Sequence, residues 1–336
     1  MDKEEYLKKK RWAGELRPSM KRRRIGHDYR SRCIYMVTLV VEQRRPLLGR
    51  VTGNGTTSPA TFTPSLLGEA IIKELHDIPR YYPDVAIWDT QLMPDHLHFI
   101  IFVKKPINVH LGTIINGFKV GCNRAYKQLM EACEITSDIA SLWEQGYNDR
   151  ILDQEGQLQG MKRYLHDNPR RLAIKRSHPD LFRVQSDAQA AGYHFAALGN
   201  IFLLDAPLRV AVKCSRRLSD EEINEQCRRF LLLASEGAVL VSPSISPGEK
   251  AVMRAAFTHG YPIIILLENG FNPLAKPGGK RFDACANGKL LLLAPWPHHN
   301  DRRVIHRQQC INLNDMARDI ATEQPRSRNP GCCKPG

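Results

Sequence analysis

Two domains of different class are predicted: a ferredoxin-like α+β domain in the first half and a Rossmann-like α/β domain in the second. Three observations predict them. Apolar runs and helical periodicities in the first half alternate in the order β-α-β-β-α-β. The second half holds short, fully apolar runs separated by helical stretches, the pattern of a parallel sheet covered on both faces. The length, 336 residues, exceeds one ordinary compact domain and suits two.

The elements follow in chain order. Residues 1–32 form a basic arm with 12 Lys and Arg against 5 Asp and Glu. Ile34 to Val41, rich in Val, Ile, Tyr and Thr, reads as a strand. Residues 52–64 read as a Gly/Thr/Pro loop remote from any site, and Leu66 to His76 as a helix. Val85 to Leu92 and Leu97 to Val103 are two strands joined by a tight reversal at Met93-Pro94-Asp95. Val109 to Cys133 reads as an amphipathic helix, Tyr147 to Leu152 as extended chain, and Leu158 to Asp167 as a further helix. The pattern weakens over residues 183–195, which sets the domains at 33–183 and 196–323. Within the second, strands are expected at Leu208 to Lys213, Ala238 to Val241, Ile263 to Leu267 and Leu290 to Leu293. Helices are expected at Asp220 to Ala234 and Gly248 to His259, and residues 324–336 read as a disordered tail.

Composition narrows the function classes. Hydrophobic residues at 42% and charged residues at 25% suit a globular chain without a membrane partner. No apolar run is long enough to span a bilayer and no secretory signal opens the chain, so a cytoplasmic location is expected. Nine cysteines without a CxxC pair argue against a zinc framework and for reduced, mostly buried thiols. The net charge of +14 points to a polyanionic partner. Half of that excess lies in the arm, where Lys21, Arg22, Arg23 and Arg24 are candidates for sequence-independent phosphate contacts.

The chemistry is written in two segments. In Met93-Pro94-Asp95-His96-Leu97-His98-Phe99, residues two apart on a strand share a face, so His96 and His98 converge while Leu97 and Phe99 face a core. Two imidazoles leave coordination positions open on a divalent ion. In Tyr164-Leu165-His166-Asp167-Asn168-Pro169, a helix puts Tyr164 and Asn168 on one face. Pro169 is expected to end the helix at Asn168, whose amide oxygen is a hard third donor beside the histidines. His166 lies about 200° around the helix from Tyr164 and is not expected to act as its base.

Together these segments resemble the HUH single-tyrosine transposases, and within them the REP-associated tyrosine transposases. The resemblance covers roughly residues 20–180. It includes Tyr29-Arg30-Ser31-Arg32 entering the first strand and Tyr147-Asn148-Asp149-Arg150-Ile151-Leu152 before the tyrosine helix. It implies a ferredoxin-like HUH nuclease domain in which Tyr164 is the nucleophile. The metal, Mg2+ or Mn2+, would be held by His96, His98 and Asn168. The implied substrate is single-stranded or hairpin DNA, cut and rejoined through a 5′-phosphotyrosine. Lys119, Arg124, Lys127, Arg163, Arg170 and Arg171 are candidates to line the DNA groove. A monomer and a homodimer both remain open.

The second half is similar, more loosely, to the Rossmann-like domain of the DNA-processing protein A group. The matching points are the turn Leu240 to Glu249, Pro262 to Leu266 followed by Asn269-Gly270-Phe271, and Leu290 to Trp296. The similarity implies a nucleotide or DNA ligand, with phosphate on backbone amides at the turn, although Pro243 and Pro247 stand where small residues are expected. Two alternatives compete with the transposase: a non-cleaving, hairpin-binding regulatory protein derived from one, and a metal-dependent hydrolase that uses water.

Overall fold

The computed structural model describes residues 23–24, 26–272, 275–301 and 304–324. Lys21, Arg22 and residues 325–336 lie outside them. The chain forms two compact units, Met1–Arg176 and Ser177–Gly336.

The first unit is built from β1 (Cys33–Val40), β2 (Gly49–Thr52), β3 (Thr61–Pro64), α1 (Leu66–Tyr81), β4 (Val85–Met93), β5 (His96–Val103), α2 (Leu111–Glu131), β6 (Asn148–Ile151) and α3 (Gln157–Ser177). Its main sheet has the order β4-β5-β1-β6 with every neighbour antiparallel. This is the ferredoxin-like order expected from the β-α-β-β-α-β pattern. Ser65 starts α1 by accepting from the Gly68 amide at 3.1 Å. The β4–β5 hairpin turns at Pro94-Asp95, with Met93 opposite His96.

Alternation along β5 decides the faces. Leu97, Phe99, Ile101 and Val103 are fully buried against α1 and α2. His96, His98 and Ile100 face the other way, where Met36, Ile100, Leu152 and Leu165 form a small core beneath α3. Burying a large apolar side chain stabilises by about 1.5–3 kcal/mol. A one-residue register slip would exchange Leu97 and Phe99 for two imidazoles, so the pattern enforces the pairing.

Three expectations are corrected in this unit and at its border. Residues 52–64 are not a plain loop: β2 and β3 pair as a two-stranded ribbon around residues 53–60. Its loop also reaches the tyrosine helix, since a Cβ on Gly55, at φ 74°, would lie 2.9 Å from the Arg170 carbonyl. Pro169 does not end the helix, which continues to Ser177. Finally, residues 183–195 are not a break. They belong to the second unit as the hairpin β7 (Gln185–Ala190) and β8 (Tyr193–Gly199), whose register shift between Gln185 and Ala188 blurs the alternation.

The second unit continues with β9 (Arg209–Ala211), α4 (Asp220–Ser235), β10 (Val239–Ser242), α5 (Pro247–Thr258), β11 (Ile263–Leu266), α6 (Lys280–Ala286), β12 (Leu290–Ala294) and α7 (Arg307–Thr322). Its sheet order is β7-β8-β12-β11-β10-β9, with β9 to β12 parallel and β8 antiparallel to β12. One face packs on Leu313, Ala317 and Ile320 of α7, a helix not expected from the sequence. Its polar spacers, Asn312, Asn314 and Asp315, dilute the apolar stripe. Among the described residues no helix is long and apolar enough to cross a membrane.

Candidate active site

The site forms where β5, β1 and α3 meet. The His96 and His98 rings lie 4.7 Å apart between centroids at 78°, and the Tyr164 ring lies 6.0 Å from His98. Tyr164 is 38% exposed, whereas His98 is 7% exposed. The nucleophile candidate is therefore open to a large substrate while the histidine behind it is held in the wall.

Each imidazole is oriented through Nδ1. His98 Nδ1 lies 2.7 Å from the Thr38 hydroxyl, across the strand pair in which Thr38 sits opposite His98. His96 Nδ1 lies 2.6 Å from Asp95 Oδ1. Donation from both Nδ1–H groups leaves both Nε2 atoms as lone-pair donors, the tautomer a metal ligand requires. Burial, followed by the neighbouring His96, pushes the His98 pKa down to about 3, so it stays a neutral imidazole. Burial raises the Asp95 pKa, but hydrogen bonds from His96 and Arg44 outweigh it and hold the carboxylate below its ordinary range.

Asn168 is positioned by the proline after it. Pro169 has no N–H for the Leu165 carbonyl one turn back. The Asn168 side-chain Nδ2 donates there instead at 3.3 Å, and to the Tyr164 carbonyl at 2.9 Å. This substitute bond lets the helix run on through Pro169. With Nδ2 turned onto the backbone, Oδ1 is the atom the amide presents on its opposite side. Among the described residues no group of three His, Cys, Asp or Glu gathers into a metal cluster. The sequence-predicted donors are thus two imidazoles oriented on β5 and one amide oxygen carried one turn from Tyr164 on α3.

A cavity of about 390 Å3 opens beside Tyr164, walled by Met36, Thr38, Asn148, Asp149, Arg150 and Met161. Arg150, an exposed cation on this wall, was not singled out from the sequence. His166 is turned away from Tyr164 as expected, its Nε2 3.1 Å from Asp89 Oδ2.

The other cations separate by location. Arg23 is bound to the buried Asp149, donates to the Tyr147 carbonyl and stacks 3.6 Å over the Tyr147 ring. Arg24 pairs with Asp153 at 2.7 Å. These contacts pin the end of the basic arm to β6. Lys119 donates to the Glu144 and Gly146 carbonyls, and Arg124 and Lys127 lie exposed on the same helix, α2. Because α2 packs on the sheet face opposite the histidines, none of these three shares a face with Tyr164. Arg170 and Arg171 both pair with Asp167, and the Arg171 guanidinium lies 5.9 Å from the Tyr164 ring. Arg163 lines an open groove with Asp89, Gln159, Lys162, His166 and Asp167.

Residues 61–168, which carry His96, His98, Tyr164 and Asn168, match the sequence profile of the family described as "Transposase IS200 like". Over those residues the first unit is similar to the IS200-like transposases. The similarity supports a DNA-processing role. A Haemophilus influenzae protein described as uncharacterized is 22% identical over 163 residues, covering 43% of this chain and 83% of that protein. A REP-associated tyrosine transposase bound to a REP hairpin is 18% identical over 44% of this chain and 72% of its own, at a TM-score of 0.27. DNA processing protein A from Helicobacter pylori is 16% identical over 42% of this chain and 66% of its own, at a TM-score of 0.31.

In the second unit the candidate turn differs from expectation. Ser246 caps α5, and the buried Glu249 carboxylate accepts from the Cys214, Ile245 and Ser246 amides at 3.3, 2.8 and 3.1 Å. The chain's own carboxylate fills the position where a phosphate was expected. Beside it, a cavity of about 420 Å3 at the ends of β9 and β10 is lined by Lys213, Arg216 and Arg307.

Proposed function

We propose that the transposase domain cuts and rejoins single-stranded, hairpin-bearing DNA by transesterification, with Tyr164 as nucleophile. The observation that carries this is the convergence of an exposed Tyr164 with two imidazoles whose Nδ1 atoms are tied back, 6.0 Å from the nearer ring. Tyr164 Oη forms a bond to the scissile phosphorus while the P–O3′ bond breaks. The phenolic proton is balanced by protonation of the departing 3′ oxygen, giving a free 3′-hydroxyl and a 5′-phosphotyrosine. The phosphate ester is kept for rejoining, which hydrolysis by water would not allow. His96, His98 and Asn168 would hold Mg2+ or Mn2+, which supplies Lewis-acid stabilisation of the phosphate. Arg150 and Arg171 flank Tyr164 and contribute positive charge toward the DNA backbone. A gel assay with labelled hairpin DNA tests the reading. A protease-sensitive, slow-migrating adduct is expected with Mg2+ or Mn2+ and none with chelator. Cleavage without any adduct would point to the hydrolase, and binding without cleavage to the regulatory protein.

Pro169→Ala restores an N–H to the Leu165 carbonyl and releases the Asn168 amide. Thermal stability should rise, by at most about 3 kcal/mol. Mn2+ affinity should fall by roughly tenfold or more, as for loss of an outer-shell partner. Calorimetric unfolding and a Mn2+ titration check both; unchanged affinity would remove Asn168 orientation from the account.

In the second unit, a phosphate-bearing ligand, nucleotide or DNA, would occupy the cavity lined by Lys213, Arg216 and Arg307. Lys213→Ala with Arg216→Ala should weaken retention of that ligand class on filters while leaving hairpin cleavage intact. Retention equal to the parent would rule the cavity out.

A further inference from the structure

Beyond the catalytic residues, the histidine face of the sheet carries an aromatic platform with no part in the reaction. Along this face β5 presents His96, His98, Ile100 and then Phe102. The register of the edge strand β4 shifts between Ile87 and Asp89, around Trp88. The Trp88 ring sits against Phe102 at 4.4 Å and 40°, yet Trp88 remains 40% exposed. The Arg32 guanidinium lies 5.3 Å from the centroid of the Phe102 ring. The next residue, Asp89, receives His166 from the tyrosine helix and borders the groove of about 810 Å3 that Lys162 and Arg163 also line.

A tryptophan recruited for the core would be buried. This one spends its ring on a half-open surface bordered by cations, on the same sheet face as the reaction centre. Phe102 is four residues along the strand from His98, about 13 Å at a rise of ~3.3 Å per residue. That distance suits a nucleotide flanking the scissile phosphate rather than the scissile one. A second copy pairing on the edge of β4 is disfavoured because the irregularity at Trp88 interrupts the ladder such pairing needs.

We propose that Trp88 and Phe102 form a stacking subsite for one unpaired nucleobase of the bound DNA strand, whose backbone is held by Arg32, Lys162 and Arg163. This rests on the DNA-cleaving reading of Tyr164 and adds to it the place of a flanking base. The aromatic faces accept any base, so the subsite sets register and affinity along the strand without reading sequence.

The test uses the full chain carrying Tyr164→Phe, which binds without turnover. Its ligand is a short hairpin oligonucleotide with single-stranded flanks, in which each flank base is replaced in turn by an abasic site. At one flank position the abasic site should weaken binding by about 10- to 100-fold. In the Trp88→Ala background the same abasic site should cost almost nothing, and Trp88→Phe should restore most of the loss. Circular dichroism confirms that each variant is folded. Equal abasic penalties with and without the Trp88 ring would overturn the subsite. So would a Trp88→Ala chain that binds DNA normally but loses a dimer in sedimentation, which would assign the patch to a second copy. Failure of the parent to bind any hairpin would overturn the DNA reading itself, and the subsite with it.

Discussion

Replacing His98 with glutamine is expected to abolish stoichiometric Mn2+ binding and to lower the rate of strand cleavage by roughly a thousandfold, about 4 kcal/mol of transition-state stabilisation. His98 has no substitute in its place: it is 7% exposed, neutral through burial, and held by Thr38 on the neighbouring strand. A glutamine keeps bulk and a hydrogen-bonding atom for Thr38 while removing the imidazole Nε2 lone pair. Thr38→Val should give a weaker form of the same loss, about 10- to 100-fold in metal affinity, because it removes the group that selects the tautomer. Titration calorimetry with Mn2+, followed by cleavage assays at saturating metal, separates the two effects. Full activity in the His98 variant would place the metal, and the reaction, elsewhere.

Tyr164→Phe is expected to remove covalent adduct formation entirely while leaving hairpin affinity within about twofold. The phenylalanine keeps the ring 6.0 Å from His98 and the Arg171 contact, and loses only the oxygen that attacks. A residue that served packing alone would keep cleavage in this variant, because the ring is retained and the hydroxyl of the 38% exposed Tyr164 contributes little to the core. Loss of cleavage with retained binding therefore separates nucleophile from platform.

Much of this was legible in the sequence, for identifiable reasons. His96 and His98 share a face because strand side chains alternate, and Tyr164 and Asn168 share one because helices turn in 3.6 residues; both rules are local. The strand order likewise followed from the succession of periodicities. Partners fixed by pairing across strands were not legible. Thr38 meets His98 only through the β1–β5 register. Arg23 meets Asp149 across 126 residues. Charge told that cations are many but not which side of the sheet they occupy, so Lys119, Arg124 and Lys127 were grouped with a groove that lies on the other face. Proline alone predicts a helix stop at Pro169, because that rule does not include a neighbouring amide able to take over the orphaned carbonyl. The turn at Leu240 to Glu249 looks like a phosphate cradle in sequence because nothing local shows that Glu249 folds back onto its amides.

The central claim is that Tyr164 becomes covalently joined to DNA. The direct measurement is mass spectrometry of the chain after incubation with hairpin DNA and Mn2+, digested with protease and nuclease. The account requires a peptide containing Tyr164 whose mass is raised by a 5′-linked nucleotide, with a matching 3′-hydroxyl fragment in the DNA. Cleaved DNA bearing free 5′-phosphate, or a nucleotide on any residue other than Tyr164, would contradict it.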